Sequence, residues 1–393
     1  MSSLKNFSHN KKRVVLLTLA SFPVGNVSTL RYTSYLKSLY SNDVEPYVVI
    51  YSPSNMARQQ PARKGTVDGI KFFYSTKPTW TYGCIPEKII YLIIGIVSSI
   101  RYLNKISPDV IILYGDNLFI INIIFGIYAK LKSIKYIGDR SELPPEKIRD
   151  SRWKMLLYGL KQKMFDGMII MTKQLMQFYG QYSKNPHFCF FMPMTIDPSR
   201  FKGLTRKNVA HPYIAVVFGI HNRDGLSDTI KSFEYYCKKG GSYELRLIGD
   251  FESMPNYDEL NTMIQHSTFK NRIIILGRQP NNVIPAILVN ASILMTTPKY
   301  YISGGFPTKL GEYMLSGVPV VATKTGELLD YIEPEKDMLM CEPGDIEAIS
   351  DALLRIENDD CLAKHLSHNA LIKAKAAFCA DSYINDFKSF LEL

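Results

Sequence analysis

An α/β fold with two parallel-sheet domains is what this chain predicts, on three observations. Short apolar runs alternate with helical segments from one end to the other, the pattern of parallel strand–helix units. The 393 residues exceed the ~250–300 at which a single hydrophobic core stops growing. A polar stretch with little periodicity, 193–212 (PMTIDPSRFKGLTRKNVAHP), divides two blocks of the same grammar and reads as a linker.

In the first block, 13–19 is a β-branched apolar strand. The loop 21–27 holds Pro23 and Gly25, and Ser28 is placed to cap a helix through Tyr40. Strand 44–51 follows, then a long polar loop with Pro53, Pro61 and Gly65. Strand 70–74 leads to helix 86–105. Pro108 precedes strand 109–113, and 117–131 is a second apolar helix expected to pack on a sheet. Strand 135–137 opens into GDRSELPP, 146–163 is helical, 167–171 is a strand, and Thr172 caps the next helix.

The second block repeats this order. Strand 213–218 is followed by helix 224–238, strand 244–248, helix 256–266, strand 272–276, helix 282–289 and strand 293–296. Helix 308–316, strand 318–322, strand 338–340 and the helices 345–357 and 361–377 complete it. The two halves are Rossmann-like, with domains at 1–195 and 196–379. No solenoid-period repeat is visible.

Apolar residues make up 46% and charged residues 21%, as in a folded soluble protein. The net charge is +11, and the first hundred residues hold twelve lysines and arginines against Asp43, Glu45, Asp68 and Glu87. Such a basic region favours an anionic partner: a membrane surface, a phospholipid or a phosphate-bearing acceptor. No zinc-finger spacing or aromatic RNA-binding motif argues for nucleic acid. The six scattered cysteines show neither CxxC nor metal spacing and read as thiols in a reducing cytoplasm. The run 14–20 is too short for a secretory leader and reads as a first strand. The most apolar segment, 89–100, falls short of the ~20 residues a bilayer span needs. It is either a core helix or one lying in the membrane interface, with Tyr91, Lys88 and Arg101 at headgroup level.

The most telling stretch is 303–323, SGGFPTKLGEYMLSGVPVVAT. A glycine loop runs into a helix, and a tight turn then gives a buried strand. Free backbone N–H groups and the positive helix end suit bound phosphate. Lys309 adds a cation in the first turn, and Glu312 lies one turn further in, within reach of a sugar hydroxyl. A glycine pair alone is ordinary in a loop; glycines, cation, acid and strand in this order point to a nucleotide site. Ligands of open α/β sheets bind outside the carboxyl ends of the strands. That adds the loops 219–225 (GIHNRDG), with Gly219 and Arg223, and Gly277–Arg278. In the first domain the same rule singles out Gly25, Asp116 in YGDN, and Asp139, Arg140 and Glu142 in GDRSELP.

The stretch 303–323 resembles the nucleotide-sugar loop of glycosyltransferase family 4, retaining enzymes of the GT-B fold; FPTKLGEYM is similar to a form common in bacterial capsule and exopolysaccharide transferases. The resemblance implies two Rossmann-like domains facing a cleft, with the last helix, within 380–393, returning to the N-terminal acceptor domain. Many members carry two glutamates around this loop; the second is Glu312, implied to bind the donor ribose, and the first falls at Gly304. Backbone groups of Gly304, Gly305, Phe306, Pro307 and Thr308, with Lys309 and Leu310, complete the implied donor loop. Arg223 stands where the family places a basic residue before its glycine, Gly25 where it has its first glycine loop, and Arg278 at the base-binding position. The implied catalytic set is Arg223, Lys309, Asp139 and Glu142, with Arg223 and Lys309 on the leaving diphosphate.

The activity implied is hexosyl transfer from a nucleotide sugar, UDP-linked before GDP-linked, to a saccharide or lipid-linked acceptor. No DxD stands at a strand end, so neither metal nor cofactor is called for. The location implied is cytoplasmic, peripheral at the inner membrane face. Two alternatives stay open: a nucleotide-sugar epimerase of the same fold, which needs paired acids and histidines, and a binding protein without turnover.

Overall fold

The computed structural model describes residues 11–41, 43–53, 62–79, 84–115, 118–219, 221–300 and 308–393. Asp116, the segment 304–307 and the middle of the polar loop before residue 62 lie outside the described residues. The chain divides into two compact units, 1–197 with 380–393 and 198–379.

The first unit begins with β1 (Lys12–Thr18), α1 (Val27–Leu39), β2 (Val44–Ile50), β3 (Lys64–Val67) and β4 (Ile70–Tyr74). It continues with α2 (Ile85–Ile106), β5 (Val110–Tyr114), α3 (Phe119–Leu131), β6 (Lys135–Arg140), α4 (Glu146–Arg149) and α5 (Arg152–Gln162). β7 (Gly167–Ile170), α6 (Lys173–Gly180) and β8 (Cys189–Phe191) close the sheet. Its order is β3-β4-β2-β1-β5-β6-β7-β8, parallel throughout except for the β3–β4 hairpin. That hairpin replaces part of the expected loop. Asp68 and Gly69 make its two-residue turn with φ of 50° and 80°, the conformation a tight hairpin demands and Asp-Gly supplies. The α1 cap is Asn26 rather than Ser28: its side chain accepts from the N–H groups of Ser28 and Thr29. The expected helix 146–163 breaks at Asp150–Ser151 into α4 and α5.

The second unit contains β9 (Tyr213–Val217), α7 (Leu226–Lys238), β10 (Glu244–Ile248), α8 (Tyr257–His266), β11 (Ile273–Gly277), α9 (Ile284–Asn290) and β12 (Ile293–Thr296). Then come α10 (Thr308–Leu315), β13 (Val320–Thr323), β14 (Leu339–Cys341), α11 (Ile346–Asn358) and α12 (Asp360–Ala377). Its sheet is wholly parallel in the order β11-β10-β9-β12-β13-β14, the doubly wound dinucleotide-binding order. The last helix, α13 (Ile384–Leu391), belongs to the first unit, as its expected return requires; Phe387 sets its ring 5.7 Å from Tyr35 of α1.

Each core is the sheet interior that alternation predicts. Leu16, Val48, Ile112 and Ile137 are fully buried in one unit, and Ile214, Leu247, Ile293 and Val321 in the other. All six cysteines are free. Cys237, Cys341 and Cys379 are buried, whereas Cys84 and Cys361 are exposed.

Candidate functional site

In the second unit the strand order reverses between β9 and β12, and the crevice at such a reversal is where doubly wound sheets take ligands. After β9 the chain makes a 3-10 turn, Asn222–Asp224, and enters α7 through Gly225. Gly225 has φ of 72°, and a Cβ there would stand 1.7 Å from the carbonyl oxygen of Thr297. Only glycine fits, because the loops after β9 and β12 touch at this point. Three further bonds stitch them together. Thr297 Oγ1 donates to Gly225 O at 3.0 Å, the hydroxyls of Thr229 and Thr297 lie 2.6 Å apart, and Lys299 N donates to Arg223 O at 2.8 Å.

Asp224 organises the charges. Its Oδ2 accepts from Gly219 N at 2.6 Å and from Lys309 Nζ at 2.6 Å. Lys309 projects from the first turn of α10, which Tyr313 anchors: its buried hydroxyl accepts from Val217 N at 2.7 Å. Burial pulls the Lys309 pKa below the ordinary lysine value, and Arg223 adds to this against the opposing pull of Asp224. Lys309 keeps 24% of its side chain in solvent. Arg223, half-buried beside this pair, has no carboxylate partner among the described residues. The helix expected to start at Asp224 begins two residues later, which frees the Asp224 carboxylate for this task.

Glu312 lies one turn along α10 and pairs with Arg200 from a 3-10 turn, Pro198–Phe201. Nη2 of Arg200 also donates to Asn281 O at 2.6 Å. One guanidinium thus ties the acid to the loop after β11, where Gly277 has φ of 66° and Arg278 is exposed. Arg200 and Asp224 escaped the sequence reading. The motif PMTIDPSRF contained Arg200, and its position there was the available signal. Leu310 belongs elsewhere than the donor loop: its side chain is fully buried and holds α10 to the core. Thr308 opens α10, and Gly304–Pro307 lie outside the described residues.

The first unit corrects two expectations. Asp139 and Arg140 lie inside β6, not beyond it, and both are buried. Nη1 of Arg31 donates to the two Asp139 oxygens at 2.6 and 2.5 Å, and the Tyr35 hydroxyl donates to Oδ2 at 2.9 Å. Burial opposes the charge on Arg31, yet Asp139 drives its pKa upward overall. Asp139 is therefore the counter-ion of a buried cation, enclosed away from solvent. Arg140, expected in a cleft loop, instead donates to the carbonyls of Leu113, Gly115 and Asp139 at 3.3, 2.6 and 3.1 Å. Glu142 is exposed at the strand end, its carbonyl accepting from the Tyr179 hydroxyl at 3.1 Å. Gly25 sits in the β1–α1 loop, where a Cβ would come 2.0 Å from Thr29 Oγ1; Thr29 Oγ1 donates to Ser21 O and closes the loop.

Residues 200–373, which hold Arg200, Arg223, Lys309 and Glu312, match the family described as Glycosyl transferases group 1. Among curated relatives, the chain is 26% identical over 173 residues to the amylovoran biosynthesis glycosyltransferase AmsK of Erwinia amylovora, 42% of this chain and 41% of that protein. It is 23% identical over 171 residues to the capsular polysaccharide biosynthesis glycosyltransferase CapM of Staphylococcus aureus, 42% of each. The alignments thus span about two fifths of these relatives. Among solved structures, HepE of Anabaena, in complex with UDP and glucose, superposes with a TM-score of 0.71 at 15% identity, covering 97% of this chain and 99% of HepE. The two-unit architecture of parallel sheets is the GT-B fold of such structures.

Proposed function

We propose that the chain is a retaining hexosyltransferase of glycosyltransferase family 4, moving a sugar from a nucleotide donor, UDP-linked before GDP-linked, to a saccharide or lipid-linked acceptor in capsule or exopolysaccharide synthesis. One observation carries the reading. At the strand-order reversal, Arg223 and the Asp224-held Lys309 stand together, with Glu312 one helical turn beyond. HepE, which binds UDP and glucose, supports this choice of donor, and AmsK and CapM support the polysaccharide context.

In the proposed reaction the bond between sugar C1 and the β-phosphate oxygen breaks. The electron pair leaves with the diphosphate while C1 becomes cationic. Arg223 and Lys309 oppose the growing phosphate charge, a preorganised stabilisation that costs little reorganisation. The acceptor oxygen then bonds to C1 on the face the diphosphate leaves, and its proton passes to that phosphate, so no protein nucleophile is required. Glu312 accepts from the ribose hydroxyls once Arg200 yields one of its contacts. These cations take the place of a divalent metal at the diphosphate. Work on a lipid-linked acceptor fits a cytoplasmic protein held at the inner membrane face.

An epimerase needs paired acids and histidines. Here Asp224 and Glu312 are each occupied by a cation, and His221 is exposed. The test is a panel of UDP-, GDP- and dTDP-sugars. The expected result is a raised melting temperature with one UDP-sugar and acceptor-dependent release of UDP. Stabilisation by every nucleotide sugar without release or transfer would leave a binding protein.

A further inference from the structure

Three neighbouring helices of the first unit expose apolar stripes, and one of them, α5, is built inside out. α5 turns Tyr158, Lys161 and Gln162 toward the protein and Trp153, Leu156, Leu157 and Leu160 toward solvent. The inward face is a polar network: Tyr158 shares a hydrogen bond of 2.7 Å with Tyr179, and Gln162 accepts from Arg140 at 3.4 Å. The outward set, spaced i, i+3, i+4 and i+7, is the apolar stripe a globular helix normally buries, and Trp153 is 77% exposed. α3 buries Ile121, Phe125 and Ala129 around Asn122, and exposes a second apolar side with Ile120, Ile127 and Leu131. α2 buries Ile96, Leu103 and Ile106 with Gly95 and Ser99, and also exposes Ile89, Ile93 and Val97.

These stripes form one surface. Along the sheet, β4 to β5, β5 to β6 and β6 to β7 all run in the same direction, so their right-handed crossovers α2, α3 and α5 cover one face. β1 to β2 runs the other way, placing α1, and α13 against it, on the opposite face. The Tyr128 hydroxyl of α3 donates to Asn104 of α2 at 3.1 Å, and α3 packs against α5. A contiguous apolar surface of this extent marks an interaction site.

Charge selects the partner. α2 carries Lys88, Arg101 and Lys105 against Glu87. α3 and its cap carry Lys130 and Lys132 with no acid, and α5 begins with Arg152 and Lys154. Two copies of such a face repel one another, whereas an anionic lipid surface attracts it. α2, with 22 residues and a mean hydropathy of 1.5 over its most apolar window, is long and apolar enough to cross a membrane; the expected shortness does not exclude a span. Packing does. Ser99 shares a hydrogen bond of 2.6 Å with Ser75 beyond β4, and a Cβ on Gly95 would stand 1.8 Å from Tyr51 O. From Gly95 to Ile106 the helix is packed against the protein.

We propose that the outer sides of α2, α3 and α5 together form a seat on an anionic phospholipid bilayer, entering the interface with their apolar stripes while the cations lie at headgroup depth. The seat extends the peripheral location proposed above. It is independent of the transferase chemistry, because its test needs no donor.

The full chain, with Trp80→Phe so that Trp153 is the sole tryptophan, is mixed with vesicles of phosphatidylcholine alone or with phosphatidylglycerol. Flotation with the anionic vesicles is expected, weakened but not abolished by high salt. Trp153 emission should shift to the blue and be quenched by brominated lipid. Ile93→Glu with Leu157→Glu, both at exposed positions, should cut the bound fraction roughly tenfold with an unchanged melting temperature. Unquenched Trp153 together with full release by salt would overturn the seat, leaving charge adsorption. Flotation of the double variant like the parent would overturn it too, as would a dimer that these substitutions split in the absence of lipid binding. Protein that resists a sodium carbonate wash would show a spanning segment and equally refute it.

Discussion

Replacing Asp139 by asparagine separates a structural carboxylate from a catalytic one. The substitution removes a charge while keeping the shape and the contact to Tyr35. Arg31 then stays buried, with 2% of its side chain exposed, and its neutral acceptors, the new amide oxygen and Met192 O at 3.4 Å, supply no counter-charge. Breaking a buried ion pair from one side costs ~3–5 kcal/mol. The first unit is of a size at which each kcal/mol moves the melting temperature by ~2–4 °C. The expected fall is therefore roughly 6–20 °C. Differential scanning calorimetry measures it, with UDP release per folded molecule recorded below the transition. Pairing Arg31→Met with Asp139→Leu should restore much of the loss, since an apolar pair of similar volume often matches a buried ion pair. A variant that melts within about 2 °C of wild type yet releases no UDP would refute the reasoning and return Asp139 to the reaction.

Glu312→Ala should weaken UDP binding by ~1.5–3 kcal/mol, the range for a hydrogen bond to a charged group; titration calorimetry showing unchanged affinity would remove the ribose assignment. Arg223→Ala and Lys309→Ala should each lower kcat more than they raise the donor KM, because the phosphate charge grows in the transition state. Lys309 has a lowered pKa, so its cation is present below that value and lost as pH rises through it. Turnover should therefore fall on the alkaline side before an ordinary lysine would titrate, and Lys309→Arg should move that fall to higher pH. Superimposable pH profiles would place the titrating group elsewhere.

The fold class was legible because strand–helix alternation is local. The Asp-Gly turn at 68–69 was equally local, but the prolines and glycine before it read as continuous loop, and β3 was lost with them. Side-chain pairing was not legible. Arg31 and Asp139 are 108 residues apart, and only the sheet brings α1 over β6. Periodicity also cannot say which side of a helix faces the sheet. The apolar α3 packs on the sheet as expected, through Ile121, Phe125 and Ala129, but periodicity did not show that a second apolar side faces outward. At the candidate site, the cation–acid order in α10 was readable from spacing alone. The Asp224 carboxylate and the Arg200 guanidinium that hold those groups arrive from other loops.

The thiol distribution makes the molecule a ruler. Burial raises the pKa of Cys237 and Cys341 to about 11, and half-buried Cys189 also rises to about 11. These thiols stay protonated and slow to alkylate at neutral pH. Exposed Cys84 opens α2 in the first unit and exposed Cys361 lies on α12 in the second. Maleimide dyes should therefore mark each unit once without engineering. Energy transfer between them then reads the separation of the units as a nucleotide sugar is added.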